Sequence, residues 1–207
     1  MADYFLSPLA RLRYAHFHKP NEGEKGSGKF EGVFFVSPGT MSPKDKDRWK
    51  QMKAEAKRVF IEKFGSKAWD EKKNQPKNGY LWPFREGDED SKTCAPMDDE
   101  DVWFRAKTEI KPGVADARNG KDDSGKWPEA EDPQDAYSGS FVRPKVQFYA
   151  YDNQSKGVAM GLGNVIIMKD GERLAAGSDA GSDFDDIDDD ELFGDDEDDG
   201  DDGSDNI

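Results

Sequence analysis

The sequence predicts a mainly β domain, a barrel or sandwich of five or six short strands with one helix and long loops. Three observations lead there. Several runs alternate in character with a period of two, as strands do. Only one stretch repeats apolar residues every three or four positions, as a helix does. Segments rich in Gly, Pro and Asp separate these runs and supply the turns.

The elements follow in order. "LARLRYAHFHKP", ending at Pro20, mixes aromatic and basic residues and reads as a first strand. "NEGEKGSGK" is a polar turn, and "FEGVFFV" after it reads as a second strand, so the two predict a hairpin. Ser42 and Pro43 then open a helix, with Ser42 as N-cap, Pro43 at the first helical position and Asp45 in the first turn. Trp49, Met52, Ala56, Phe60 and Phe64 form its apolar stripe, and Gly65 ends it. "GYLWPF" reads as a short edge strand, because Pro83 lacks the N–H a central strand needs.

"DVWFRAKTEI" alternates cleanly, with Val102, Phe104 and Ala106 on one face and Trp103, Arg105 and Lys107 on the other. The irregular stretch "KPGVADARNGKDDSGKWPEAEDPQD" is too long for a plain connector, and such loops are usually functional or mobile. "SFVRPKVQFYAYDN" sets Val146 and Phe148 against Lys145, Gln147, Tyr149 and Tyr151, with an edge or a bend at Pro144. "GVAMGLGNVIIMKDGERL" supplies a last strand and a turn at Asp170-Gly171.

The charge is divided unevenly. The chain of 207 residues has 45 acids and 30 bases, a net −15. Residues 178–207 hold 16 of those acids and no base, so the remaining 29 acids face all 30 bases and residues 1–177 carry +1. A body over 1–177 and a disordered acidic tail over 178–207 are therefore expected. No apolar run reaches the roughly 20 residues of a bilayer span. The start "MADYFLSPLARLR" lacks the basic and apolar regions of a signal peptide, and the single Cys94 suits a reducing cytoplasm.

Catalytic chemistry finds little support in these residues. There is no phosphate-cradling Gly-rich loop followed by Lys and Ser/Thr, and Cys94 has no CxxC companion for zinc. His16 and His18 alternate on one strand without a second histidine cluster, which suits a structural role. Neither a catalytic residue, a cofactor nor a defined metal site is expected. Aromatic and basic residues do share strand faces: Trp103 with Arg105 and Lys107, and Lys145 with Tyr149 and Tyr151. Single-stranded nucleic acid is held by this pairing, with cations along the phosphates and bases stacked on rings. A bland alternative is that the rings fill the interior and the bases are solvated.

"RLRYAHFHKP", "GKFEGVFFV", "FREGDED", "VWFRAKTEIKPGV" and "DPQDAYSGSFVRPKVQFYAYDNQSKGVAMGLGNVIIMKDGERL", followed by an acidic end, resemble the single-stranded DNA-binding proteins of tailed bacteriophages. The likeness runs from about Arg11 to Leu174 and is most specific from Ala136 to Val165. It implies an oligonucleotide-binding (OB) fold and binding of single-stranded DNA without sequence preference, in phage replication and recombination, within the cytoplasm of the infected bacterial host. Trp103, Arg105, Lys107, Arg143, Lys145, Tyr149 and Tyr151 are then the expected DNA contacts. The tail, at Asp188, Asp189, Asp190, Glu191 and Phe193, would recruit phage DNA polymerase and helicase–primase. Related tails often close with an aromatic residue, whereas Phe193 is internal here. Homo-oligomerisation is left open. Two rivals stand beside this reading: an interaction module whose acidic tail mimics DNA and blocks a host factor, and a nuclease whose carboxylates hold Mg²⁺.

Overall fold

Five strands close into a barrel. The computed structural model describes residues 3–22, 26–86 and 101–174, and its compact unit is Met1–Leu174. In chain order the strands are β1 (Phe5–Leu6), β2 (Ala10–His16) and β3 (Phe30–Val36), and then comes helix α1 (Pro43–Phe64). Four two-residue strands follow: β4 (Trp69–Asp70), β5 (Gln75–Pro76), β6 (Tyr80–Leu81) and β7 (Arg85–Glu86). The chain continues through β8 (Val102–Thr108), β9 (Val114–Asp116), β10 (Phe141–Asp152) and β11 (Lys156–Lys169).

β2 pairs antiparallel with β3, and β3 with β8. β8 pairs parallel with β11, β11 antiparallel with β10, and β10 returns to β2. Closure leaves no long open edge in the ring β2-β3-β8-β11-β10. The fold is mainly β and OB-like, as expected, although β10 and β11 are long strands rather than short ones. Pro144 lies within β10 and not at its start. A register shift between Pro144 and Val146 absorbs it, and its carbonyl accepts a hydrogen bond from Ser7 N at 3.0 Å.

Helix α1 forms as its sequence dictates. The Ser42 hydroxyl accepts from Asp45 N at 3.2 Å, and Gly65, at φ 80°, ends the helix in a conformation that favours glycine. Its stripe Trp49, Met52, Ala56 and Phe60 is buried in the main core. Phe84 links helix to barrel, with its ring 4.7 Å from Trp49, 6.4 Å from Phe104 and 6.0 Å from Phe148. "GYLWPF" is in part a strand: β6 adds to β11 in parallel, while Trp82 and Phe84 turn into the aromatic cluster.

The long segment after β8 is anchored rather than loose. β9 runs parallel to β11, and Ala115 bridges to Glu129. Arg118 gathers three carboxylates, with Asp116 and Asp135 at 2.7 Å and Asp170 at 2.8 Å. The "YSGSFVR" block serves the fold. Tyr137 pins the turn before the end of the body by accepting from Gly171 N at 3.1 Å and donating to Gly171 O at 2.9 Å. At Gly139, φ is 114°, and a Cβ would stand 2.0 Å from Glu172 O. Only glycine fits there.

Candidate nucleic-acid interface

Strand alternation sorts β2, β3 and β8 into two faces. Leu12, Phe34, Phe104 and Ala106 point into the barrel and are fully buried. Their neighbours Arg11, Arg13, Val33, Phe35, Trp103 and Arg105 point outward. Register places these in cross-strand rows. One runs Arg11, Phe35, Trp103, Arg85 across β2, β3, β8 and β7. A second runs Arg13, Val33, Arg105, and a third runs His16, Glu31, Lys107.

The centre of this face is apolar. Val33, Phe35 and Trp103 form a small buried cluster separate from the interior core, with Tyr14 packed against it. Tyr14 reaches the cluster because β2 bulges between Arg13 and His16 and the Tyr14 backbone sits at φ 51°. Few residues other than glycine adopt that conformation. The Tyr14 N–H donates to Ser138 Oγ at 3.1 Å, and the Arg13 guanidinium lies 5.3 Å from the Tyr14 ring centroid.

Trp103 and Arg105 occupy the face expected of them, but only one is open. Arg105 is exposed, whereas Trp103 is 4% exposed and the Arg85 guanidinium covers its ring at 5.1 Å. A groove of about 200 Å³ lined by Arg85, Trp103, Arg105 and Tyr151 brings three of the expected contacts together. Tyr149 stands 47% exposed opposite Ala159. Ala159 lies one residue before the Met160–Ala106 pair, which puts Tyr149 at the end of the Arg13–Val33–Arg105 row. Lys145 is exposed on the same face of β10, beside β1.

Two of the expected cations are engaged elsewhere. Lys107 Nζ lies 3.2 Å from the buried Glu31 carboxylate, which also accepts from Asn21 at 2.7 Å and Ser27 at 2.9 Å. Burial pushes the Glu31 carboxyl up, but these bonds and the Lys107 charge more than offset it and hold it below the usual range. Arg143 is engaged within the fold: its guanidinium bonds both Asp45 oxygens, at 2.5 and 3.0 Å, and the Ser7 carbonyl at 3.1 Å, so it ties β10 to the helix. The tail residues Asp188, Asp189, Asp190, Glu191 and Phe193, and Cys94, lie outside the described residues.

Sequence reasoning did not place Arg11, Arg13, Phe35, Arg85 and Tyr14 on this face. One signal was present: "FEGVFFV" is apolar on both faces, so its outward residues must be covered by something other than solvent.

A family model, the ssDNA-binding protein of Enterobacter phage Enc34, matches residues 6–194. The chain belongs to this family. Protein p50 of Acyrthosiphon pisum secondary endosymbiont phage 1 is 28% identical over 181 residues, 86% of this chain and 90% of that protein. The Enc34 single-stranded DNA-binding protein, solved in complex with ssDNA, is 19% identical and has a TM-score of 0.59 over 82% of this chain and 88% of its own. The single-stranded DNA-binding protein gp2.5 of bacteriophage T7 is 17% identical with a TM-score of 0.55, over 91% and 97% of the two chains. Both structures resemble this chain in fold. Among the described residues no helix is long and apolar enough to cross a membrane.

Proposed function

We propose that this protein binds single-stranded DNA without sequence preference and serves phage DNA replication and recombination as a coating protein, not as an enzyme. The observation that carries this is the face of β3 and β8, where a Tyr14–Val33–Phe35–Trp103 floor is flanked by Arg13, Arg85 and Arg105. β3 and β8 are the second and third strands of the barrel, and OB barrels bind oligonucleotides across those strands. Guanidiniums on this face suit phosphates, and Tyr149 and Tyr151 at its border suit bases. Nothing there selects one base over another, because stacking accepts every base.

The reading extends to the acidic segment. Residues 178–207 carry 16 acids without a base, a polyanion that suits basic surfaces on phage DNA polymerase and helicase–primase. The place of action is then the cytoplasm of the infected host. Fluorescence titration with oligo(dT) and with duplex DNA of equal length tests the proposal, since the chain has five tryptophans. Salt-sensitive binding of oligo(dT), at least tenfold tighter than duplex, is expected. No binding of oligo(dT) would leave the interaction-module reading in its place.

A further inference from the structure

The row of cations and rings does not stop at β2. Phe141 on β10 pairs with Arg11 on one side and with Lys169 on β11 on the other. The row therefore continues as Arg85, Trp103, Phe35, Arg11, Phe141, Lys169, across six strands. Five steps between neighbouring strands, at about 4.8 Å each, make a path of about 24 Å around the barrel wall. Lys169 Nζ sits 4.1 Å from the Phe141 centroid and the Arg11 guanidinium 6.0 Å from it, so this ring lies between two cations.

A groove of about 600 Å³ opens along this second half, lined by Arg11, Arg13, Phe35 and Phe141. Arg11 donates to the Glu172 carbonyl at 3.1 Å, yet its buried Nε has no hydrogen-bond partner. A buried guanidinium N–H without an acceptor is costly, and the remaining N–H groups of Arg11 suit an anionic oxygen in the groove. Two carboxylates also line the groove: Arg143 and Arg48 match the charge of Asp45, which leaves Asp101 against Arg11 and Arg13.

We propose that the groove beside Phe141 is a second binding segment, which takes the part of a single strand that runs off the Trp103 face toward Lys169. This rests on the function proposed above and deepens it. The occupant is single-stranded nucleic acid because the groove is continuous with that face through Arg11 and Phe35 and presents the same chemistry. Arg11 and Lys169 hold phosphates, and a base takes the place of one cation against the Phe141 ring. Strands too short to pass Arg11 use only the first segment.

The test is a titration of the full chain with oligo(dT) of increasing length, in wild type, Lys169→Gln and Phe141→Leu. Wild-type affinity should rise with length in two stages. In each variant the shortest strands should bind within twofold of wild type, while long strands should lose tenfold or more. For Lys169→Gln the log–log salt slope should become shallower by about 0.7 for long strands only. Lys169→Gln leaves the barrel interior untouched, so it decides the matter if Phe141→Leu folds poorly. Equal losses at all lengths, or none, would overturn the second segment while leaving the first in place. Tighter binding at every length would overturn it too, since the groove would then hold an acidic stretch of the chain itself. Wild type that binds no oligo(dT) of any length would remove the function proposed above, a distinct result.

Discussion

Arg143 holds both carboxylate oxygens of Asp45, at 2.5 and 3.0 Å, and so fastens β10 to the first turn of α1. Burial pushes the Asp45 carboxyl up, but hydrogen bonds from Arg143 and Arg48 outweigh it and lower the pKa from 3.8 to about 2. A depressed folded pKa stabilises the fold fully above the unfolded value, and that stabilisation is lost as pH falls through the folded one. The window is thus pH 4 down to 2, and the contribution is about 2 kcal/mol. Urea midpoints should fall across that window in wild type, and Asp45→Asn should flatten the fall. Arg143→Met should cost about 3 kcal/mol at neutral pH, because it strips a buried carboxylate of its main partner. Folded Arg143→Met should keep the wild-type salt dependence of DNA binding, and a shallower slope would return Arg143 to the phosphate contacts.

The outer face separates floor from rim. Tyr149→Ala and Arg105→Ala remove exposed side chains, so thermal stability should hardly change. Tyr149→Ala should weaken oligo(dT) binding by about 1–3 kcal/mol, and Arg105→Ala should make the log–log salt slope shallower by about 0.7. Trp103→Ala should instead lower stability by about 3 kcal/mol, since it empties a buried cluster. Calorimetry and titration of the three variants check the division. Tyr149→Ala with unchanged affinity and lowered stability would move that ring from the site to the core.

How much of this could be read beforehand depended on what each residue reports. Periodicity reports facing, so the helix stripe at Trp49, Met52, Ala56 and Phe60 and the alternation of Val102 to Lys107 were legible. Facing does not report cover. Trp103 points outward as its spacing requires, yet Arg85, eighteen positions earlier, closes over it through a two-residue strand that no pattern marks. Arg143 carried the same signal as Arg105, and only the approach of α1 to β10 gives it Asp45 as a partner. Phe35 and Arg11 stayed invisible as site residues because their meaning lies in register between strands, which one chain's sequence does not state.

Glu31 places a negative charge on a face otherwise rich in cations. It holds Asn21 and Ser27 of the β2–β3 connection to the sheet and neutralises Lys107. Glu31→Gln should free the Lys107 charge, tighten oligo(dT) binding severalfold at low salt and steepen the log–log slope by about 0.7. It should also lower stability at neutral pH. Because the folded Glu31 pKa lies below its ordinary 4.5, its stabilisation is present above that value and fades as pH falls below it. Titration across salt and urea melts at pH 7 and pH 3 test both statements. Weaker binding by Glu31→Gln would mean that the carboxylate chiefly positions the loop.

Arg118 is predicted to govern the segment after β9. Its three carboxylate partners, Asp116, Asp135 and Asp170, join that segment to the end of β11. Arg118→Ala leaves three carboxylates facing one another without a cation. Trypsin should then cut at Lys121 and Lys126 about tenfold faster, which reports local opening rather than global unfolding. Affinity for oligo(dT) too short to pass Arg11 should stay within twofold, since none of these groups lies on the β3–β8 face. An unaltered cleavage rate would show that β9 pairing alone holds the segment.

Deleting residues 178–207 changes the net charge from −15 to +1. Binding to single strands should tighten, most of all at low salt, where the Debye length is about 30 Å at 0.01 M against about 10 Å at 0.1 M. Long-range repulsion between tail and DNA predicts the same sign, so the sign alone does not identify the mechanism. Competition for the arginine face requires more. A random coil of this length would reach about 30 Å. In the free protein, tail amides should then sense Arg13, Arg85 and Arg105, and saturating oligo(dT) should release them. NMR spectra of the full chain with and without oligo(dT) read this directly. Arg85→Ala with Arg105→Ala should shift the tail amides toward their DNA-bound positions even without DNA. Tail resonances that ignore both DNA and these substitutions would leave repulsion as the whole effect, and the acidic segment would act on the DNA face only at a distance.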